Sequence, residues 1–559
     1  MRLKIIICLS FLLYQTNLYS KTAETIEFNQ KYLSNYFSAL ISYNNEDNDS
    51  ALEFFNDSKK LINKHDKFLK KYIFSLVLDG QVKRAIDLIK ISKKPNNSSF
   101  FEARLLMVID SFNKKKYKQA AKRLKKLEIV QDNETYEFVI YNTLKSYNDL
   151  FLNKKIIKQN ENFGKLTLIT KAFQNCYLSS KKTSSNFLNL INSAEGDYSR
   201  YLFFYLGNII ENKEYIMLNE ISETIEPISS SLLISQSKKW VEDKKFEKFI
   251  KYFSCKNENH LLSEFFFLMS NLFSSQESYE KSNFYIQVSN FLNPNFKFNL
   301  SLFAENHYLN NNFDSAKKIL EDLNFEDEIY DWYKTKKIAQ ILAEQNNDHE
   351  AIRYIENKIN EIKNPSTKIL YDLANIYKNF KKYEKAIKYY SLVLSELDNN
   401  SLVYADVLYK RGGCFERIGS YEKSDNDLLH SLKIAPGDAY TMNYLAYSWL
   451  ERNYKIDEAI IMLKEAYNKK NNDPYITDSI GWAYYIIGDY NTSEKYLKKA
   501  LELMPYDAIV NDHYGDVLWK LNRKLQAKYF WRNTLELEDV DEKMKKDIQF
   551  KLLNGLNKI

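Results

Sequence analysis

Histidine is scarce in this chain: His65, His260, His307, His349, His430 and His513 are the six among 559 residues. No two lie at metal-ligand spacing and there is no His-Glu-x-x-His, so the sequence offers no zinc-type hydrolytic centre. It also lacks a Gly-rich phosphate loop before a helix and a Gly-x-Ser-x-Gly elbow. His513 follows Asp512 directly, but adjacent helix residues point apart, so His513 reads as a satisfied or solvated side chain. The carboxylates of Asp478, Asp512 and Asp516 could serve glycoside cleavage only as a pair facing one cleft at a suitable separation. The expectation is therefore a protein that is not an enzyme and has neither metal nor cofactor, with a glycan-handling enzyme as the remote alternative.

Cysteine chemistry is equally thin. Beyond Cys8, the residues Cys176, Cys255 and Cys414 are widely spaced and odd in number. That implies neither a disulfide framework nor a Cys-x-x-Cys metal site. Each is expected to be buried between helices.

The N-terminus starts basic at Met1-Arg2-Leu3-Lys4, turns apolar from Ile5 to Leu13 and closes polar from Tyr14 to Ser20. This is the layout of a secretory signal peptide, with an apolar run too short for a transmembrane helix. Leu18-x-Ser20 puts cleavage before Lys21; a retained anchor or a first helix of the fold are the alternatives. Cys8 lies in mid-run without the small residues that precede a lipid-modified cysteine. Direct lipid anchoring is not expected, which leaves peripheral membrane association through a partner. The expected destination is the periplasm or cell envelope.

Charge excludes little else. The net charge is +7 on 80 basic and 73 acidic residues, and runs such as Lys122-Arg123-Leu124-Lys125-Lys126 flank an apolar helical stripe. A nucleic-acid footprint requires clustering on one face, so no nucleic-acid partner is expected. With 12 Gly and 7 Pro the chain is too poor in turn formers for a β-sandwich or barrel of this size, which makes it all-α. Its 43 Tyr and 35 Phe suit wedging between stacked helices.

The elements that position any binding group follow a repeat. Gly481 and Gly515 are 34 residues apart, as are Ser493 and Ala527. A small residue followed four later by a large one recurs at Ala51, Ala85 and Ala120, fades through Phe187 and Leu218, and resumes at Phe249. It continues at Ser282, Ala316, Ala351, Ala386, Ser424, Ala459, Ser493 and Ala527 in steps of 33 to 38 residues. Pro294, Pro436 and Pro505 each fall 12 residues after the small residue of their unit, where a proline ends the second helix of a pair.

Ile480-Gly481-Trp482-Ala483-Tyr484 with Ser493 and Pro505, and Tyr514-Gly515-Asp516-Val517-Leu518 with Ala527 and Trp531, resemble the tetratricopeptide repeat (TPR). The resemblance is close from about residue 401 and looser from residue 32, and it extends to exported bacterial TPR scaffold and adaptor proteins. It implies a TPR-type helix-pair superhelical solenoid with degenerate N-terminal and middle repeats. The expected order is a signal peptide (1–20), degenerate repeats (21–135) and an irregular helical or degenerate segment (136–230). Degenerate repeats (231–400), well-defined repeats (401–539) and a capping helix (540–559) follow.

In such a family the first helix of each pair lines a concave groove. Its groove positions fall here on Tyr447, Tyr475, Asp478, Trp482, Tyr485, Asp512, Asp516 and Trp519. Aromatic anchors among carboxylates imply a protein or peptide partner of basic or amide-rich character, bound without chemistry. A structural subunit of an envelope or secretion assembly is the alternative within the binding class. Oligomeric state is not set by these features.

Overall fold

The small residue of each repeat is where the second helix meets the first, and the packing shows why size is restricted there. Ala51, Ala85, Ala120, Ser282, Ala316, Ala351, Ala386, Ser424, Ala459, Ser493 and Ala527 are all 0% exposed. At the partner position on the first helix a Cβ on Gly481 would lie 2.8 Å from Leu497 Cγ, and one on Gly515 2.5 Å from Trp531 Nε1. Glycine lets the two backbones approach and the large residue lie across them.

The computed structural model describes residues 30–62, 66–92, 100–127, 135–157, 161–193, 198–345, 347–537 and 540–556. The signal peptide expected at 1–20 lies outside them. The described residues form thirty α-helices and no strand. The protein is all-α, built from antiparallel helix pairs. The second helices that precede Pro294, Pro436 and Pro505 end at Leu292, Ile434 and Leu503, two residues before each proline.

N-caps recur with the repeat. Ser401, Asp438, Asp473, Asp507 and Asp541 each accept a hydrogen bond from the backbone N–H three residues on, opening every second helix from Leu402–Arg417 to Glu542–Asn554. Each cap satisfies an otherwise orphaned donor and is worth about 1 kcal/mol.

The chain divides into two compact units, one of residues up to Thr224 with Gln236–Tyr330, the other of Ile225–Ser235 with Asp331 onward. In the first unit the helix Glu258–Ser274 is buried over most of its length, with Leu261, Leu262, Phe265, Phe266, Met269 and Phe273 each 4% exposed or less. Burying these six side chains contributes on the order of 10 kcal/mol before entropy.

Helices far apart in sequence converge on it. Glu258 accepts from Tyr177 Oη at 2.8 Å and lies 3.6 Å from Lys154 Nζ. Arg200 grips Glu264 through two 2.8 Å hydrogen bonds, and Tyr136 packs edge-on against Phe273 at 5.0 Å. The inner faces of the earlier helices are thus filled by a later part of the same chain.

The cysteine expectation needs correction here. Cys176 and Cys255, 79 residues apart, are joined by a disulfide, with Cα atoms 5.7 Å apart. The helix Lys165–Tyr177 ends beside the turn that leads into Glu258–Ser274, and Lys256 Nζ donates to the carbonyl of Cys176 at 2.9 Å. Linear spacing carries no trace of this meeting. Cys414 is buried and free, as expected.

The second unit is a regular stack, from Thr367–Asn379 with Tyr383–Glu396 to Ala508–Lys520 with Lys524–Leu535. The helix Glu542–Asn554 closes it, with Ile548 buried against Val517, Leu518 and Trp531. Buried Lys368 ties Ile225–Ser235 into this unit, its Nζ donating to the carbonyls of Pro227, Ile228 and Ser230 at 3.2, 2.9 and 3.2 Å.

Candidate binding groove of the second unit

Successive first helices of the second unit touch one another and form its inner wall. Toward the C-terminal end, Trp482 from Pro474–Ile486 is half-buried at the centre of a ring cluster. It stacks on Tyr485 at 4.6 Å and on His513 at 4.0 Å, with interplanar angles of 8° and 12°. Its indole N–H donates to Glu451 at 2.9 Å, and Tyr447 is 6.5 Å from the His513 ring.

Asp478 is buried and accepts from His513 Nδ1–H at 2.9 Å. Burial opposes charge on this imidazole, but Asp478, Asp512 and Asp516 outweigh it and hold the imidazolium above its ordinary range. Asp512 and Asp516 converge on one cation. Lys551, from the last helix, donates to Asp512 at 2.7 Å and to Asp516 at 2.9 Å. Asp516 also accepts from the Trp531 indole at 2.9 Å. Burial and then the charge of Asp512 raise its pKa to about 6. Trp519 lies 5.3 Å from Trp531 and is closed over by Gly555, where any Cβ would collide with its ring. Tyr475 stands apart, 58% exposed.

Of the eight groove residues expected from the sequence, Tyr447, Asp478, Trp482 and Tyr485 thus gather around His513. Asp512, Asp516 and Trp519 are engaged by the chain's own C-terminal segment. His513 is satisfied as expected, but by Asp478, one repeat and one residue away.

Further toward the N-terminal end of this unit the wall changes sign. A cavity of about 240 Å³ is lined by Lys378, Lys410 and Arg417 with the rings of Tyr383, Tyr409 and Tyr444. Lys410 is paired with Asp406 at 2.7 Å, and Arg417 lies 3.6 Å from Glu416, which also accepts from Tyr444 at 3.1 Å. Lys378 has no ion-pair partner among the described residues. Cys414 forms part of the lining, its thiol pushed up to about 11 by burial against the opposing charge of Lys378. Gly413 keeps the site open, since its missing Cβ would touch Tyr444 Oη at 3.4 Å. The sequence reading passed over these cations. Lys410 and Arg417 stand on the helix Leu402–Arg417, at the start of the well-defined repeats, and Lys378 stands on Thr367–Asn379, in the pair before it.

The family described as tetratricopeptide repeat matches residues 367–396 and 479–507, two of the helix pairs that build this wall. The chain thus carries tetratricopeptide repeats at these residues. It is 31% identical over 111 residues to a TPR repeat-containing protein of Pseudomonas aeruginosa, covering 20% of this chain and 19% of that protein. It is 25% identical over 117 residues to anaphase-promoting complex subunit 3 of Schizosaccharomyces pombe, covering 21% and 16%. The chain thus spans about a fifth or less of the curated relatives it matches.

Among solved structures it is similar to a tetratricopeptide repeat protein from Parabacteroides merdae, at 15% identity and TM-score 0.39 over 45% of this chain and 96% of that one. A thermophilic TPR protein of Thermus thermophilus gives 17% identity and TM-score 0.30, over 34% of this chain and 100% of its own. TPR domains are protein-interaction scaffolds. Among the described residues, no group of three or more His, Cys, Asp or Glu could hold a metal ion.

Proposed function

We propose that this protein is an exported, non-catalytic adaptor that holds an acidic segment of a protein partner against the inner wall of its second unit. The observation that carries the reading is the cavity of Lys378, Lys410 and Arg417, where Lys378 has no counter-charge among the described residues. Asp478, Asp512 and Asp516, which suggested a basic partner, are matched by His513 and Lys551. The charge left to be satisfied is therefore positive, and Tyr383, Tyr409 and Tyr444 add apolar area and hydroxyl donors around it.

Two features support export. The apolar run from Ile5 to Leu13 suits a signal peptide. The Cys176–Cys255 disulfide suits an oxidising compartment. The name of the fission yeast relative, a subunit of a complex, fits a scaffold role. Commitment of the three aspartates to His513, Lys551 and Trp531 argues against their use as a glycoside-cleaving pair.

The test is fluorescence anisotropy of labelled acidic, neutral and basic nonapeptides with the mature chain. Preference for the acidic peptide, weakened about tenfold by Lys378→Glu, is expected, since a charge-assisted contact is worth roughly 1.5–3 kcal/mol. Preference for the basic peptide, or unchanged binding by the variant, would overturn the partner reading. A fusion of residues 1–40 to a reporter active only outside the cytoplasm tests export separately, and an inactive reporter would refute it.

A further inference from the structure

The basic cavity of the second unit has a counterpart one repeat earlier. Ala351 and Ala386 mark the same position of successive helix pairs, 35 residues apart, and Ser424 repeats it 38 residues on. Shifted back by 35 residues, Lys378 and Tyr383 of the basic cavity fall on Ala343 and Asp348. Shifted back by 38, Cys414 and Arg417 fall on Ile376 and Asn379. All four counterparts line a second cavity, of about 640 Å³, on the helices Glu328–Glu344 and Thr367–Asn379 and the turns that follow them. Every residue of that lining belongs to the second unit. The wall thus presents the same site twice.

Its contents differ in kind. Where the basic cavity carries Lys378 and Arg417, the earlier one carries Ala343 and Asn379, and Ile376 stands in place of the Cys414 thiol. The rings of Tyr333 and Phe380 add to the apolar lining. Ala343, Ile376 and Phe380 are each only half-buried, so they keep apolar surface to offer an occupant. The charges that reach this cavity offset one another. Lys336 is paired with Asp372 at 2.6 Å, Lys337 donates to Gln340 at 3.1 Å, and Asp348 brings the opposite charge. A carboxylate gains little in such surroundings, whereas a large apolar group gains the area of the rings. The volume lies within the roughly 300–1,000 Å³ of sites that enclose such a group.

The two cavities flank one helix. Ile376 and Asn379 of Thr367–Asn379 line the apolar cavity, and Lys378 of the same helix lines the basic one. Packed helices stand roughly 8–10 Å apart. An extended chain advances about 3.3 Å per residue, so a segment lying across this helix covers the step in about three residues. We propose that the acidic segment held by the basic cavity carries a large apolar side chain three residues from its carboxylate, and that this side chain fills the cavity of Ile376 and Phe380. This second anchor rests on the adaptor reading above and narrows it to one class of segment. Two anchors at a fixed distance discriminate among acidic segments, which charge alone cannot do.

The test is fluorescence anisotropy of the full chain with labelled, end-capped peptides that carry one central Glu. Phe is placed one, three or six residues from that Glu on either side, and Ala replaces Phe in the reference. Phe at the three-residue spacing, on one side, is expected to tighten binding about tenfold over the reference, as for burial of one large apolar side chain. The other spacings are expected to show no gain. Phe380→Ala and Asn379→Trp, the second placing a ring in the cavity, should each remove the gain and leave the reference affinity unchanged. Lys378→Glu should weaken the Phe peptide and the reference alike. Asn379 is exposed, so its variant decides the outcome if Phe380→Ala fails to fold. Equal binding of Phe and Ala peptides, a gain independent of spacing, or a gain that survives Asn379→Trp would overturn the second anchor and leave the acidic-partner reading standing. No binding by any of the peptides would overturn both.

Discussion

Lys551 Nζ lies within 2.9 Å of both carboxylate oxygens of Asp516, having crossed from the final helix to the wall of the last complete repeat. The same ammonium holds Asp512, so one cation from the end of the chain answers two acids of the groove. The helix Glu542–Asn554 is thus tied to the stack by charge as well as by the apolar contacts of Ile548.

Removing that cation should be expensive. Lys551→Met leaves two poorly exposed carboxylates facing each other, and a loss of about 3 kcal/mol is expected in urea denaturation of the full chain. Asp516→Asn in the same background should recover part of it, because the remaining acid then has no like-charged neighbour. Equal stability of the single and double variants would contradict the pairing.

The same cluster sets a pH dependence. His513 is held above its ordinary value, so its contribution is complete below about pH 6.5 and declines as pH rises through the raised folded value. Asp516 is raised to about 6, so its protonated form is favoured on folding and that contribution falls between about pH 4 and pH 6. Stability of the C-terminal repeats should therefore decrease from pH 4 upward. His513→Gln should flatten the upper part of the curve, and Asp516→Asn the lower part. Urea midpoints across this range provide the check.

Reducing the Cys176–Cys255 bond should destabilise the first unit selectively. Closing a loop of 79 residues corresponds to about 4.5 kcal/mol of chain entropy in the unfolded state. Cys176→Ser with Cys255→Ser should lower the melting temperature to the value seen with dithiothreitol, and reductant should then have no further effect. Hydrogen exchange should report the loss in the helices Lys165–Tyr177 and Glu258–Ser274.

Arg200 should not be replaceable by lysine. Its guanidinium makes two hydrogen bonds to buried Glu264 and one to Asn299, and lies 4.0 Å from the centre of the Phe267 ring. Lysine keeps the charge but loses the planar fork and the stacking, so Arg200→Lys should cost about 2 kcal/mol, measurable by chemical denaturation. A neutral outcome would show that charge alone suffices.

The stack of the second unit was legible because its constraint is local. A helix pair admits only Gly, Ala or Ser at the close approach, so Gly481, Ser493, Gly515 and Ala527 mark the period in any single copy. The filling of the first unit was less visible. Phe265-Phe266-Phe267 within Glu258–Ser274 spreads aromatic rings over more than one face of the helix, which breaks the one-sided pattern of a surface helix. That signal was present but was absorbed into the repeat register. The Cys176–Cys255 bond and the reach of Lys551 to Asp516 depend on how elements return in space, which spacing does not encode. The groove residues were located on their helices, while their engagement by His513 and Lys551 had no counterpart in the linear pattern.

The buried helix Glu258–Ser274 also imposes an order in time. Chain synthesis runs from the N-terminus, so the helices that carry Asn113, Tyr136, Tyr177 and Arg200 emerge before the segment that fills their inner faces. Until then those faces are bare and the nascent chain has no complete core to close on. Its final collapse waits on the arrival of the second half of the unit, with slow kinetics expected from contacts so distant in sequence.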